Sequence, residues 1–241
     1  MLKTFSDSIL SIVFPQECRV CGREVEFSED GVACSGCWEA TRIFTGDETL
    51  CNKCGAFLFG VPSGSAASCG KCDEHSYDRA FSVGLYEKAL SASVLELKTT
   101  PRLGGRIKRL LGEAFDRVSI QGSPFMIPVP LSSRRLAERG FNQAAVIGNA
   151  VSQCVHFAAI DESSLVRKQH TPMHRVGMDK KARALTVKNA FEVLRPRLIE
   201  GRDILLIDDI FTSGETASNC AKILKKNGAA TVSVLTIART A

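Results

Sequence analysis

The chain has 241 residues, enough for one large domain or for a medium domain with a small companion. Its hydrophobic content of 44% and charged content of 24% are ordinary for a soluble globular protein. No apolar run approaches the roughly 18 residues that a membrane-spanning helix needs. The net charge of +5 permits an anionic partner but does not identify one.

The first segment, MLKTFSDSILSIVF, is interrupted by Lys3 and Asp7, which disfavours a signal peptide. Its apolar residues instead recur at helical spacing. They predict a short helix that packs on the domain behind it, with a membrane-surface anchor as the alternative. Because no export signal is evident, we expect a cytoplasmic protein without a membrane span.

Cysteine spacing divides the chain into two parts. Eight of the ten cysteines form C-x-x-C pairs before residue 73, and the gaps between successive pairs are 12, 13 and 14 residues. The pairs are Cys18/Cys21, Cys34/Cys37, Cys51/Cys54 and Cys69/Cys72. In a reducing compartment disulfides are disfavoured, and two such pairs supply the thiolates of a tetrahedral structural Zn²⁺ site.

An internal repeat indicates how these pairs combine. CRVCG at residue 18 recurs as CNKCG at residue 51, and each is followed by a second pair. We therefore assign the first two pairs to one zinc ion and the last two to another; an interleaved pairing, iron–sulfur ligation and redox chemistry are the alternatives. The glycine after each knuckle predicts a positive φ. His75, which follows the last pair, is interpreted as an ordinary surface histidine.

From Tyr77 onward, strand and helix patterns alternate, which is typical of a parallel sheet with helices on its faces. We predict strands over 80–87, 125–130, 203–209 and 230–238, and helices over 141–158 and 215–228. The predicted organisation is a zinc-binding part over 1–76 and an α/β domain over 77–241. Cys154 and Cys220 lie on apolar helix faces and are expected in the core.

The stretch ILLIDDIFTSGET, residues 204 to 216, carries the chemistry. A strand buried on both faces meets two carboxylates, and a helix begins beyond Gly214. Ligands of parallel sheets bind at the carboxyl ends of the strands, where the N–H groups of such a helix attract a phosphate. Carboxylates repel a phosphate but accept hydrogen bonds from sugar hydroxyls or bind Mg²⁺ through water. A ribose 5-phosphate satisfies both halves of the motif; the alternative is that the acids only cap the helix.

The same stretch closely resembles the phosphoribosyl pyrophosphate (PRPP) loop of type I phosphoribosyltransferases. IPVPLSSRRLAERGFNQA, residues 127 to 144, resembles a block of the ComF (competence protein F, or ComFC) family. FPQECRVCG, LVRKQHTP, KNAFEV and LKKNGAATVSVLTIART extend this similarity over nearly the whole chain. The resemblance implies a type I phosphoribosyltransferase-like parallel sheet flanked by helices, preceded by a small double zinc ribbon.

The resemblance also implies residue roles. The ribose hydroxyls would be held by Asp208 and Asp209. The 5-phosphate would be cradled by Thr212, Ser213, Gly214, Glu215 and Thr216. The pyrophosphate loop would be the turn at Pro128, Val129 and Pro130, with Arg139 and Arg183 as cationic ligands and Mg²⁺ bound together with PRPP.

Residues 165 to 188 would form the mobile lid of such a domain. This segment carries seven basic residues against a single aspartate, as closure over a polyanion requires; a solvated basic loop is the alternative. Its sequence, TPMHRVGMDKKARALTV, departs from the family pattern T-x-x-Q-x-x-L…R-x-x-N-V, which leaves the lid contacts and the acceptor open.

Two functions of different classes follow from the resemblance. The first is transfer of phosphoribosyl to a nitrogen acceptor with release of Mg-pyrophosphate, positioned and stabilised electrostatically by the protein. The second is PRPP-dependent, non-catalytic handling of single-stranded DNA during DNA uptake, with exposed arginines meeting phosphates. An adaptor for other DNA-uptake proteins, docking through the ribbons, is a third reading. The acceptor itself is not identified by the sequence.

Overall fold

The structure is a computed structural model that describes residues 16–58, 60–61, 67–118, 124–154, 159–168 and 190–241. The helix predicted within the first 14 residues lies outside this part of the chain. None of the helices in the described ranges is long and apolar enough to cross a membrane.

The regular elements begin with one short helix in the cysteine-rich part and continue as alternating strands and helices. The helices are α1 (Ser35–Glu39), α2 (Lys88–Glu96), α3 (Gly105–Asp116), α4 (Ser133–Arg139), α5 (Gln143–Cys154) and α6 (Glu215–Lys226). The strands are β1 (Arg79–Leu85), β2 (Phe125–Pro128), β3 (Ala159–Ile160), β4 (Leu165–Arg167), β5 (Phe191–Val193), β6 (Asp203–Phe211) and β7 (Thr231–Arg239). Short 3-10 turns occupy Ser28–Asp30 and Pro196–Leu198.

Five of the strands form one sheet in the order β1-β7-β6-β2-β3. Every neighbouring pair in it is parallel, whereas β4 and β5 form a separate antiparallel pair. Parallel neighbours require crossover connections, and helices supply them on both faces of the sheet. The predicted α/β architecture, a parallel sheet flanked by helices, is therefore confirmed.

The central strand β6 is longer than its sequence pattern predicts. The prediction ends it at Asp209, but the strand continues through Ile210 and Phe211 because these residues pair with Ala238 and Arg239 of β7. The two carboxylates consequently lie within the strand rather than at its end. Helix α6 begins four residues beyond the strand, close to its predicted start.

Strand alternation divides the core into two layers. Leu205 and Ile207 of β6 pack in a cluster with residues of α2, α3 and α5, whereas Ile204 and Leu206 pack in a cluster with residues of α6. All four side chains are fully buried. The sheet therefore has apolar side chains on both faces, as its continuous hydrophobic runs predict.

The two cysteine-rich halves pack on opposite faces of this sheet. The cluster on the α2, α3 and α5 face includes Cys18, Cys34, Cys37 and Trp38. The cluster on the α6 face includes Cys51, Cys54, Cys72 and Tyr77. Both cores are thus shared between the cysteine-rich part and the sheet, and the division of the chain into parts over 1–76 and 77–241 stays a prediction.

The segment after α1 runs along the outer edge of β1. Ile43 forms an antiparallel bridge with Gly84, and the Phe44 N–H donates to the Val83 carbonyl at 2.8 Å. A Cβ on Gly84 would lie only 2.2 Å from the Arg42 carbonyl oxygen. Glycine is required at this position because another backbone approaches so closely.

The predictions for the helices and for the two remaining cysteines are confirmed in part. The predicted helix over 141–158 is observed as α5, while the helices α2, α3 and α4 and the β4–β5 pair were not predicted. Cys220 is fully buried as expected, but the core prediction for Cys154 is wrong because this thiol is exposed. Cys154 is the last residue of α5, and its sulfur lies 3.7 Å from the Lys108 carbonyl of α3 rather than in the core.

Candidate functional site

The cysteine pairs combine in sequence order into two clusters. Cys18, Cys21, Cys34 and Cys37 form one, and Cys51, Cys54, Cys69 and Cys72 form the other, with all sulfur atoms of a cluster within 4.8 Å of one another. Representative Sγ···Sγ distances are 3.6 Å for Cys21–Cys34 and 3.5 Å for Cys54–Cys69. Thiolates at about 2.3 Å from a tetrahedral zinc ion would be separated by about 3.8 Å. Both clusters therefore fit structural Zn²⁺, and the interleaved pairing is excluded.

The backbone conformation of each C-x-x-C knuckle favours metal binding. Gly22 and Gly55 have φ values of 74° and 67°, as predicted for the residue after each knuckle. Their N–H groups donate at 2.8 Å to the carbonyls of Cys18 and Cys51, which closes the turn. The Cys34 N–H donates to the Cys18 sulfur at 3.3 Å, and the Cys69 N–H donates to the Cys51 sulfur at 3.4 Å. Such donors stabilise thiolates, the form that binds a metal ion.

A guanidinium supports the more exposed cluster. The Arg23 Nε donates to the Cys21 sulfur at 3.5 Å, and this contact lowers the pKa of Cys21 to about 6. The Arg23 cation stabilises the thiolate form. Because the thiol is exposed, burial opposes this effect only weakly.

The second region of interest is the carboxyl edge of the parallel sheet, where β2 ends beside Ile207 and β6 continues to Phe211. Pro128 pairs with Ile207, and the Val129 N–H donates to the Ile207 carbonyl at 2.8 Å. The turn at Pro128–Pro130 therefore lies directly beside Asp208. The structure brings together two predicted parts of the site that are separated by about 80 positions in the sequence.

Helix α6 begins at this edge without a side-chain cap. Gly214 occupies the N-cap position with φ 80°, and no side chain accepts a hydrogen bond there in a capping geometry. The N–H groups of Thr216 and Ala217 have no hydrogen-bond partner among the described residues. Open donors at the positive end of a helix dipole form an anion site. This arrangement argues against the alternative that Asp208 and Asp209 cap the helix.

The polar side chains of this loop are accessible to a ligand. Thr212, Ser213, Glu215 and Thr216 are exposed, whereas Gly214 is buried beneath them. The Glu215 N–H is 3.4 Å from the Ser213 Oγ, a weak contact that a stronger acceptor can replace. The loop therefore offers hydroxyl and amide donors on one side and a packed glycine on the other.

The paired carboxylates differ in their surroundings. By strand alternation, Asp208 continues the series that faces α6, and Asp209 continues the series that faces α5. Both are half-buried, and the Asp209 N–H donates to the Asp208 Oδ1 at 2.9 Å. Burial, and then the negative charge of Asp209, raise the pKa of Asp208 to about 8. Perturbed carboxylates of this kind concentrate at functional sites.

The segment after β2 returns to the same edge through two short helices. Gly140 ends α4 in a left-handed conformation with φ 76°, and Asn142 caps α5 by accepting from the Ala144 N–H at 3.1 Å. The Asn142 side chain also donates to the Val129 carbonyl at 3.1 Å, which fixes the turn after β2. Arg139 is half-exposed, with no ion pair to any residue that the structure describes. It remains a predicted cationic ligand at this edge.

The predicted lid is described only at its beginning. Arg183 and residues 169–189 lie outside the described part of the chain, so the cationic role of Arg183 stays a prediction. At the start of the segment, the Arg167 guanidinium lies over the Phe191 ring at 5.5 Å. This contact joins the two strands that flank the rest of the lid sequence.

Sequence reasoning missed two buried or half-buried polar groups, one of them against Gly214 of the loop. His75 was interpreted as a surface histidine but is half-buried, and its Nδ1 lies 2.7 Å from the Tyr77 hydroxyl. Gln143 is 2% exposed, and its Nε2 has no hydrogen-bond partner among the described residues. No spacing or periodicity could have identified these positions, since their neighbours come from distant parts of the chain.

A separate cleft of about 830 Å³ lies away from this edge. It is bounded by the linker over residues 44–52, the first half of β1 and Arg117, and none of the predicted ligand residues of the loop lines it. The candidate site at the sheet edge is therefore defined by its hydrogen-bond donors and carboxylates and not by a large cavity.

Comparison with known proteins places these features in context. A family model described as "Double zinc ribbon domain" matches residues 9–73. The DNA utilization protein YhgH of Shigella flexneri is 31% identical over 237 residues, which cover 95% of this chain and 99% of that protein. Competence protein F of Haemophilus influenzae is 28% identical over 94% of this chain and 98% of its own length.

Similarity to a solved structure is weaker. A hypoxanthine phosphoribosyltransferase from Staphylococcus aureus aligns with 61% of this chain and 68% of its own, at 15% identity and a TM-score of 0.36. The full-length sequence relatives and the two zinc clusters carry the assignment instead. The chain belongs to the ComF (competence protein F) family, with an N-terminal double zinc ribbon ahead of its parallel α/β sheet.

Proposed function

We propose that this protein binds PRPP at the carboxyl edge of the sheet and transfers its phosphoribosyl group to a nitrogen acceptor. The observation that carries the proposal is the uncapped N-terminus of α6 beside two half-buried carboxylates. Open N–H donors suit the 5-phosphate, and carboxylates suit the ribose hydroxyls.

Each part of the ligand has a place in the proposal. The 5-phosphate accepts hydrogen bonds from the loop over residues 212–216, while Asp208 and Asp209 accept from the ribose hydroxyls. The pyrophosphate lies against the turn at Pro128–Pro130, where Arg139 and the predicted lid residue Arg183 offset its charge. Carboxylate oxygens are suitable ligands for a hard cation, directly or through water, so the edge is compatible with Mg²⁺. When bound with PRPP, Mg²⁺ neutralises the pyrophosphate.

The protein's contribution to such a reaction is positioning and electrostatics. The loop and the two acids hold the ribose ring while pyrophosphate leaves its C1 and a nitrogen atom attacks. Positive charge develops on the sugar at that stage, and the nearby carboxylates stabilise it. Closure of the predicted lid over residues 165–188 would exclude water from the reacting atoms.

Titration calorimetry with PRPP and Mg²⁺ tests the binding step. The double substitution Asp208→Asn/Asp209→Asn removes both carboxyl groups as acceptors for the ribose hydroxyls, so we expect affinity to fall about 100-fold or more. Asp203→Asn, in the same strand but at its opposite end, is the matched control and should bind as the parent does. Zinc content should remain at two ions per chain in all three proteins. Equal affinity in the double variant would contradict the proposal.

A second candidate function is PRPP-dependent handling of single-stranded DNA without turnover. The names of the relatives, a DNA utilization protein and a competence protein, favour it. Helix α4 has no buried residue and presents Arg134 and Arg135 to solvent close to the turn after β2. DNA binding of this kind should weaken steeply with rising salt. Release of pyrophosphate with a nitrogen nucleophile would instead favour the enzyme.

A further inference from the structure

We propose that the second zinc ribbon holds the phosphate-binding loop in shape, through His75, Tyr77 and Arg239 as positioning residues. The loop is defined here as residues 211–216, from the last residue of β6 to the second residue of α6. The inference rests on the proposed function for its ligand, but the packing that carries it is independent of any ligand. It predicts that zinc in the second ribbon, and not in the first, controls the order of this loop.

The first connection runs from Cys72 to Gly214. The His75 N–H donates to the carbonyl of the zinc ligand Cys72 at 3.0 Å, and the His75 Nδ1 lies 2.7 Å from the Tyr77 hydroxyl. The two rings lie 5.2 Å apart. A Cβ on Gly214 would lie 3.0 Å from both the His75 Cε1 and the Tyr77 hydroxyl oxygen. The His75 and Tyr77 side chains therefore pack directly against Gly214 of the loop.

The second connection runs from Cys54 to Phe211. Arg239 is 5% exposed, and its guanidinium donates to the carbonyl of the zinc ligand Cys54. The same guanidinium lies 5.4 Å from the centre of the Phe211 ring. The Phe211 ring in turn contacts Tyr77 edge-on at 5.7 Å, and its Cζ would lie 2.8 Å from a Cβ on Gly214. Both connections therefore end on the same glycine.

A third contact fixes the first turn of α6. The Ser76 N–H donates to the Ser218 Oγ at 3.0 Å, across 142 positions of sequence. The Ser218 N–H donates to the Gly214 carbonyl at 2.8 Å, the first bond of the helix. The segment that follows Cys72 is thus tied to the residues whose N–H groups form the anion site.

Among the described residues, the first ribbon makes no comparable contacts with the loop. Its cysteines pack in the core layer on the other face of the sheet. Its corresponding arginine contact is Arg106, which lies 4.9 Å from the Trp38 ring centre and pairs with Asp30 at 3.1 Å. Loss of zinc there should therefore loosen the first ribbon without a direct effect on residues 211–216.

Hydrogen exchange of the ligand-free protein, read on peptides that cover residues 211–222, tests the inference. Cys69→Ser and Cys21→Ser each remove the most exposed ligand of one ribbon and should lower zinc content from two ions to one. We expect exchange in this region to be about tenfold faster in Cys69→Ser and close to parental in Cys21→Ser. Equal acceleration in both variants, or none in Cys69→Ser, would overturn the inference.

Two milder variants cover the case in which a ligand substitution prevents folding. Tyr77→Phe removes one buried hydroxyl and its contact with His75, so exchange at residues 211–222 should be about fivefold faster with zinc content unchanged. Arg106→Gln is the matched control at the first ribbon and should leave these peptides unchanged. Parental exchange in Tyr77→Phe would contradict the positioning role.

Titration with PRPP and Mg²⁺ separates this inference from the proposed function. If the parent binds PRPP, Tyr77→Phe should weaken binding about fivefold, whereas Arg106→Gln should not. If the parent fails to bind PRPP while Tyr77→Phe still accelerates exchange, the proposed function fails and the connection between ribbon and loop stands. Unchanged affinity and unchanged exchange in Tyr77→Phe would refute the connection alone.

Discussion

Asp208 shows how a strand position sets the chemistry of one side chain. It faces the α6 layer of the core, and burial there raises its pKa, with the charge of Asp209 adding to the shift. Cys220, fully buried on α6, is close enough that the Asp208 charge also raises the pKa of its thiol, although burial is the larger cause. Because burial disfavours the charged form of this carboxyl, a ligand hydroxyl that donates to it would stabilise that form.

The raised pKa makes stability depend on pH. A carboxyl whose folded pKa is about 8, against an ordinary 3.8, favours folding at acid pH, and this contribution is lost as pH rises from about 4 to about 8. Asp208→Asn is neutral throughout, so the parent should lose unfolding free energy relative to this variant over the same range. Urea unfolding at pH 5 and pH 8 measures the difference. A gap that is constant with pH would show that Asp208 titrates normally.

A charge at the first turn of α6 separates ligand binding from helix stability. Thr216→Asp places a carboxylate near the positive end of the helix dipole, which should leave Tm unchanged or slightly higher. The same charge repels a phosphate, so affinity for PRPP should fall at least about tenfold. Thr216→Asn, equal in size and neutral, is the control. Parental affinity in Thr216→Asp would place the phosphate elsewhere.

At the scale of elements, the β6–α6 connection depends on one glycine for two reasons. Gly214 adopts φ 80°, and a Cβ there would meet Phe211, His75 and Tyr77 at 3.0 Å or less. Gly140, at the end of α4, has a similar φ of 76°, but no atom of the part of the chain that the structure describes lies within 4 Å of its Cβ position. The two positions therefore share backbone strain and differ in crowding.

This difference gives a matched pair of substitutions. Gly140→Ala should cost about 1 kcal/mol of unfolding free energy, from the left-handed backbone alone. Gly214→Ala should cost about 1–3 kcal/mol more, because the added methyl group must displace packed rings, and it should abolish PRPP binding. Chemical denaturation and calorimetry measure both effects. Similar costs at the two positions would mean that the rings beneath the loop move aside easily.

At the scale of the whole molecule, each zinc ribbon completes one layer of the core. Trp38, the only tryptophan of the chain, is 1% exposed and packs in the layer that contains Cys34 and Cys37. Structural zinc contributes on the order of 10 kcal/mol to the folding of small cysteine-rich domains. Loss of the metal should therefore destabilise the sheet as well as the ribbons.

Chelation tests this shared core. We expect removal of zinc to shift the Trp38 emission to longer wavelength and to lower the Tm of the whole chain, with both changes reversed by added zinc. Emission reports the first ribbon, while far-ultraviolet circular dichroism reports the sheet and helices. A red shift with an unchanged dichroism melting curve would show that the ribbons fold and unfold independently of the sheet.

The sequence by itself determined what is encoded locally. Cysteine spacing and the CRVCG/CNKCG repeat predicted both four-cysteine clusters, and the positive φ of Gly22 and Gly55 follows from the same turns. The run from Ile204 to Thr216 predicted a buried strand followed by a helix, because apolar continuity and a glycine turn specify a strand end and a helix start within a few residues.

Only the tertiary structure decided which surfaces meet. Three features depend on residues that are distant in the sequence. They are the packing of the ribbons on opposite faces, the extension of β6 past its carboxylates along β7, and the exposure of Cys154. Arg239 donates to the Cys54 carbonyl across 185 positions of sequence. The identity of an apolar or cationic residue does not indicate which distant residue it will contact. The hydrophobic effect is non-directional. The pattern of apolar residues in the sequence therefore predicts that a residue is buried, whereas the tertiary structure decides which residues it packs against.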